Sequence, residues 1–154
     1  MQFVLSMLIG VLVTLSAVAE ESNFDYEKFT NDYFSAWANV QRPNAGQDDL
    51  EKYLSFLTDD VGYQHLPYSS DDSRVPNGKE SMRKGMVHYL GIHTEYAANL
   101  TNHSHGHNVI MIEYDTSAKG VHPDNGQLVT VDYHSFEVLE IENGKVSVIR
   151  HYSE

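Results

Sequence analysis

The chain contains no cysteine, which removes disulfides, thiolate metal sites and cysteine nucleophiles at once. Cationic residues are scarce as well: ten Lys and Arg stand against 22 Asp and Glu, for a net charge of -12. No basic run occurs anywhere, and a surface of that sign repels phosphate backbones and anionic membranes. Nucleic acid is therefore excluded as an expected partner. There is also no internal repeat, no low-complexity tract and no second domain boundary.

Charge is missing from residues 1–19, MQFVLSMLIGVLVTLSAVA, which are apolar over 3–13 and end in Ala17-Val18-Ala19. This is the pattern of a secretory signal with an A-x-A exit before the acidic Glu20-Glu21-Ser22. An N-terminal membrane anchor is the competing reading, since the run approaches the roughly 20 residues that a span needs. The Ala-x-Ala exit and the abrupt acidic start favour cleavage after Ala19. We therefore expect a secreted or periplasmic protein with no stable membrane association after cleavage. Residues 20–154 then form one domain, long enough for a single core and too short for two.

Helical spacing comes first in that domain. Tyr26, Phe29, Tyr33, Trp37 and Val40 recur at three- and four-residue steps, which predicts a helix over 24–40 with Ser22 or Asn23 as its cap. Arg42-Pro43-Asn44-Ala45-Gly46 breaks it. Asp48 opens a second helix with Leu50, Tyr53, Leu54 and Leu57 on its buried stripe, ended by Thr58-Asp59-Asp60. A short strand is expected over 61–66, a loop over 67–77, and a third helix from Gly78 with Met82, Met86, Tyr89 and Leu90 on one side. Beyond Gly91 the period falls from about 3.6 to 2. Strands are expected over 94–101, 108–117 and 127–142, and Asn143-Gly144 is a strong two-residue turn into a last antiparallel strand over 146–152. The order predicts an α+β domain, its helices packed on one face of a curved sheet.

Asn102-His103-Ser104-His105-Gly106-His107 is the most conspicuous chemistry in the chain. On a continuous strand the three imidazoles would share a face about 7 Å apart, a spacing that suits a metal ion. His105-Gly106-His107 followed by Glu113 and Gly120 also approaches a cupin motif. The spacing to Glu113 is too long, no second cupin motif follows, and three leading helices do not suit that fold. The segment lies between two strands and contains Gly106, so it is expected to be a hairpin connection facing water. No metal and no cofactor are expected.

The long opening helix followed by LTDDVGYQHL, the segment NGKESMRKGM, and the closing FEVLEIENGKVSVIRHYSE resemble the nuclear transport factor 2-like superfamily, and within it the SnoaL-like proteins. The resemblance spans about residues 24–154. It implies a cone-shaped, curved antiparallel or mixed sheet with three helices on its concave face, a pocket at the mouth of the cone, and a homodimer. It also implies a pocket wall containing His65 and Tyr63 on the first strand and Tyr33 and Trp37 on the opening helix. Enzymes of this type place a carboxylate or imidazole in a dry pocket, where its pKa moves toward neutrality and it transfers a proton.

Alternation on the penultimate strand puts Thr130, Asp132, His134 and Phe136 on one face, either solvent or pocket wall. His151 falls where the epoxide-hydrolase branch has a catalytic aspartate, and Glu113 and Asp115 fall near that branch's arginine and second aspartate. His for Asp and Glu for Arg leave no Asp-Arg-Asp arrangement, so that mechanism is not supported. The expected catalytic residues are His151, His65, Asp132 and His134, with Tyr33, Trp37, Tyr63, Glu113 and Phe136 binding a small, largely apolar substrate. The expected function is cofactor-independent proton transfer of isomerase, cyclase or dehydratase type. The alternatives are a non-catalytic binding or dimerisation module of the same fold and, behind both, a metal-binding cupin-like protein.

Overall fold

The computed structural model describes residues 24–153. The expected signal segment, its cleavage site and the cap candidates Ser22 and Asn23 lie outside them. Helix α1 spans Tyr26–Gln41, α2 Gln47–Leu54 and α3 Gly78–Tyr89; strands are β1 Leu57–Leu66, β2 His93–Gly106, β3 Val109–Val121, β4 Leu128–Glu142 and β5 Lys145–Ser153. The order along the chain is the one the periodicity predicts. The strands form one open mixed sheet ordered β1-β5-β4-β3-β2, parallel only between β1 and β5. Register shifts in β1, in β2 and between β4 and β5 introduce the local bends that curve such a sheet.

Asp25 caps α1 by accepting a hydrogen bond from the Lys28 backbone N–H at 2.9 Å. One side of α1 buries Tyr33, Phe34 and Val40; α2 adds Leu50, Tyr53 and Leu54. Asn143 and Gly144, both at positive φ, form the tight turn between β4 and β5.

Two boundaries differ from expectation. Leu57 opens β1 opposite Val146 rather than closing α2, and Asp59 and Asp60 are strand residues held by Lys79 at 2.7 Å and Arg74 at 2.8 Å. The histidine-rich segment is not a connection but the end of β2, paired through His103↔Ile112 and His105↔Ile110. The turn itself is His107-Asn108, with φ of 49° and 63°. A bulge between Leu100 and Asn102 turns His103 and His105 toward α1, where His105 stacks on Tyr26 with ring centres 4.7 Å apart. The segment thus anchors the start of α1. Among the described residues no group of three His, Cys, Asp or Glu side chains is arranged to hold a metal ion.

Side-chain size along the strands explains where the molecule is solid. At the end near the β4–β5 turn the helix-facing positions are Ile110, Ile112, Leu139, Ile141, Val146 and Ile149, all buried, and they fill the core with α1 and α2. Toward the other end the helix-facing positions become Thr116, Ala118, Val131, Ser135 and Ser153. Short and polar side chains there cannot reach the helices, and a cavity opens. Gly78 fixes α3 against β1, because a Cβ at that position would lie 2.2 Å from the Val61 carbonyl oxygen.

Candidate active site

Strand register assembles the site at the boundary between solid core and cavity. Parallel pairing sets His65 opposite His151, and antiparallel pairing sets His151 opposite Glu137, so one row across β1, β5 and β4 carries two imidazoles and a carboxylate. Directly opposed side chains on one face are close enough to interact. The neighbouring row contributes Tyr114 from β3, opposite Ser135.

These residues form a compact triangle. The Tyr114 hydroxyl donates to Glu137 Oε1 at 2.9 Å; His151 Nδ1 lies 3.0 Å from the same oxygen and 3.2 Å from the Tyr114 hydroxyl. Glu137 is only 4% exposed and Tyr114 1%. A carboxylate buried so deeply needs donors, and His151 supplies one by carrying its proton on Nδ1. That tautomer leaves the lone pair on Nε2. The arrangement is that of an oriented base: a carboxylate fixes the imidazole and faces the charge that forms when it accepts a proton.

The surrounding hydroxyls are all neutral donors. Burial, then the charge of Glu137 and the hydrogen bond to it, pushes the Tyr114 pKa far above the ordinary tyrosine range. Burial followed by the Glu137 charge also raises Tyr53, Tyr63 and Tyr96. His65 moves the other way. Burial first and the neighbouring His151 second hold it below the ordinary histidine value, against an opposing pull from Glu137. The rings of His65 and His151 meet edge to face with centres 4.5 Å apart, and the Tyr63 hydroxyl lies 3.2 Å from His65 Nδ1.

The cavity in front of this cluster has a volume of about 360 Å³. Aromatic rings dominate its wall: Trp37 from α1, Tyr53 from α2, and Tyr63, Tyr96, Tyr114 and Tyr133 from the strands. Among the described residues Glu137 is its one carboxylate, and no Lys or Arg lines it. The Tyr96 hydroxyl is buried against the cavity and has no hydrogen-bond partner among the described residues. His93 donates from Nδ1 to the Gln41 carbonyl oxygen at 2.5 Å, so its Nε2 is also an acceptor at the wall.

Of the residues expected from sequence, His151, His65, Tyr63 and Trp37 line the cavity. Tyr33 lies one layer deeper; it is fully buried, with its hydroxyl 3.3 Å from that of Tyr53, and supports the wall without forming it. Asp132, His134, Phe136 and Glu113 do not line this cavity. On β4 the helix-facing positions are Val131, Tyr133, Ser135 and Glu137, and the expected polar set occupies the opposite face. There His134 Nδ1 meets Asp115 Oδ1 at 2.8 Å, and Phe136 packs on Tyr152 beside Glu113. Glu137, Tyr114, Tyr96 and His93 were not anticipated. Glu137 had a usable signal: it is the carboxylate in the register Ser135, Glu137, Leu139, Ile141, which is otherwise suited to burial.

The whole fold matches solved structures. A protein from Shewanella putrefaciens CN-32 assigned as a SnoaL-like polyketide cyclase superposes with a TM-score of 0.63 at 11% identity, over 82% of this chain and 88% of that one. An NTF2-like protein from Exiguobacterium superposes with a TM-score of 0.60 at 8% identity, over 82% and 98%. The fold is nuclear transport factor 2-like. An LEH-like epoxide hydrolase of M. tuberculosis shares it, with a TM-score of 0.57 at 14% identity over 82% and 84%. No protein-family model and no curated protein matches the chain. Within this fold, three helices cover an open mixed sheet and the Glu137 cluster lies at the base of the space between them.

Proposed function

We propose that the chain is an exported, cofactor-independent proton-transfer enzyme of isomerase, cyclase or dehydratase type, acting on a small, largely apolar carbonyl compound. The observation that carries this reading is the Glu137–His151–Tyr114 triangle, buried at the wall of an aromatic cavity. His151 Nε2 removes a proton from the carbon next to the carbonyl, and the electron pair of that C–H bond passes into the C=O group. The enolate oxygen is met by a neutral hydroxyl, for which Tyr96 is the donor without a partner of its own. Glu137 stabilises the imidazolium formed at His151. The proton then returns to the same carbon or to a conjugated one, and the base is restored.

The wall chemistry narrows the reading. Epoxide opening by an Asp-Arg-Asp set has no counterpart in a cavity with one glutamate and no arginine. Hydrogen–deuterium exchange at the α-carbon of a panel of apolar ketones, followed by NMR in D2O, tests the proposal. Enzyme-dependent exchange is expected; ligand binding without exchange across the panel would replace the enzyme by a binding module. Export predicts a mature chain beginning at Glu20, read by mass spectrometry of the culture fluid. The homodimer is checked by sedimentation.

A further inference from the structure

A second cavity, of about 740 Å³, lies between α3 and β1 and shares Gln41, Tyr63, His65, Met82 and Met86 with the first. The shared side chains form a common wall, so the two spaces adjoin at the edge of the reactive cluster. The second wall adds the aliphatic Val40, Val61, Val75 and Leu90 to the two methionines, with Ser73, Ser81 and Tyr89 as its further polar members. Among the described residues it contains no Lys, Arg, Asp or Glu.

Helix α3 covers this space and touches the core through the partly buried Met82 and Met86. Ion pairs hold its first half: Lys79 with Asp59 at 2.7 Å, and Arg83 with Glu51 at 2.7 and 2.9 Å. Gly78 is its one buried residue. In the second half, Gly85 lines the cavity between Met82 and Met86. No backbone requirement explains this glycine. Its φ is outside the left-handed region, and a Cβ built on it meets nothing within 4 Å, whereas one on Gly62 would lie 2.1 Å from the Asp72 carbonyl oxygen. Glycine inside a helix is destabilising relative to alanine. Gly85 is exposed, so what its missing side chain leaves clear is the rim of the cavity.

We infer that the second cavity is the tail subsite of the same active site, that it takes the extended apolar portion of an uncharged carbonyl substrate, and that Gly85 sets the size of the tail admitted. This rests on the proton-transfer reading for the reacting end. Anionic substrates such as fatty carboxylates or phosphate esters are disfavoured, because among the described residues the walls offer no Lys or Arg and one carboxylate, Glu137. The adaptable thioethers of Met82 and Met86 suit a flexible chain passing between the lobes.

The test uses 2-alkanones from butan-2-one to dodecan-2-one with the wild-type chain, Gly85→Ala and Gly85→Phe. In the wild type, kcat/KM for α-exchange should rise with length, by up to about fourfold per methylene buried. Gly85→Phe should keep butan-2-one exchange and lose the gain on long ketones, with Gly85→Ala intermediate and at least as thermally stable as wild type. An equal length dependence in wild type and Gly85→Phe, or none in wild type, overturns the tail subsite. If no ketone exchanges, the catalytic reading falls. The subsite is then judged by Trp37 fluorescence titrations with the same series, where a length-dependent affinity abolished by Gly85→Phe sustains it and a flat series refutes it. Should Gly85→Phe not fold, Gly85→Leu gives the same comparison.

Discussion

The two faces of β4 carry the same contact in different surroundings. On the inner face His151 lies 3.0 Å from Glu137, and on the outer face His134 lies 2.8 Å from Asp115; each pair is directly opposed across a strand ladder. The outer side chains are 54% and 58% exposed, the inner ones 12% and 5%. Water screens the outer pair and solvates either partner alone, so it contributes little. The inner carboxylate has no water to fall back on, depends on Tyr114 and His151, and imposes one tautomer on the imidazole. The comparison teaches that distance alone does not identify a catalytic pair; the medium around it does.

Removing the inner imidazole is the harshest test of that contrast. His151→Ala should lower ketone exchange by about 10²- to 10⁴-fold, the usual range for a general base, in a protein that still folds. His134→Ala should leave both exchange rate and Tm at wild-type values. Equal losses in the two variants would erase the distinction between the faces. Neutralising the carboxylates sharpens it further. Glu137→Gln keeps the shape but removes the charge facing the imidazolium, a charge-assisted bond of about 1.5–3 kcal/mol, so turnover should fall roughly 10- to 100-fold; Asp115→Asn should change nothing.

Tyr96→Phe probes the inner face without touching the pair. Its hydroxyl has no partner to lose in the folded protein, so Tm should hold or rise while kcat/KM falls about tenfold. Any drop in Tm would mean the hydroxyl has a structural role. The smallest effect concerns pH. His65 is held below the ordinary value of 6.5, so the unfolded chain takes up that proton more readily than the folded one. Its contribution to stability is therefore complete above pH 6.5 and is lost as pH falls below it. His65→Gln should flatten that part of a Tm-against-pH curve.

The element order and the closing turn were legible because they depend on local signals: apolar periodicity in α1, the change of period after Gly91, and the Asn143-Gly144 pair. The correct face of β4 was not. Thr130, Asp132 and His134 look chemically richer than Val131, Tyr133 and Ser135, yet polarity in a strand marks solvent as readily as a pocket. The register past the Leu100/Asn102 bulge, which decides where His103 and His105 point, is set by pairing with β3 and α1 rather than by the residues themselves. Tyr96 and Tyr114 read as ordinary buried aromatics until the sheet curves them around one carboxylate. The cavity is likewise a collective result of short side chains on β3, β4 and β5, which no single segment announces.

Glu137 holds His151 as a base, with Nε2 left to meet the ligand. Long-range ¹H–¹⁵N NMR of histidine-labelled protein, with imidazoles neutral and with a 2-alkanone added, tests it directly. An Nδ1–H tautomer is expected for His151, with a shift of its Nε2 resonance on ligand addition and His134 unmoved. An Nε2–H tautomer at His151, or a ligand that perturbs His134 and leaves His151 untouched, would contradict it.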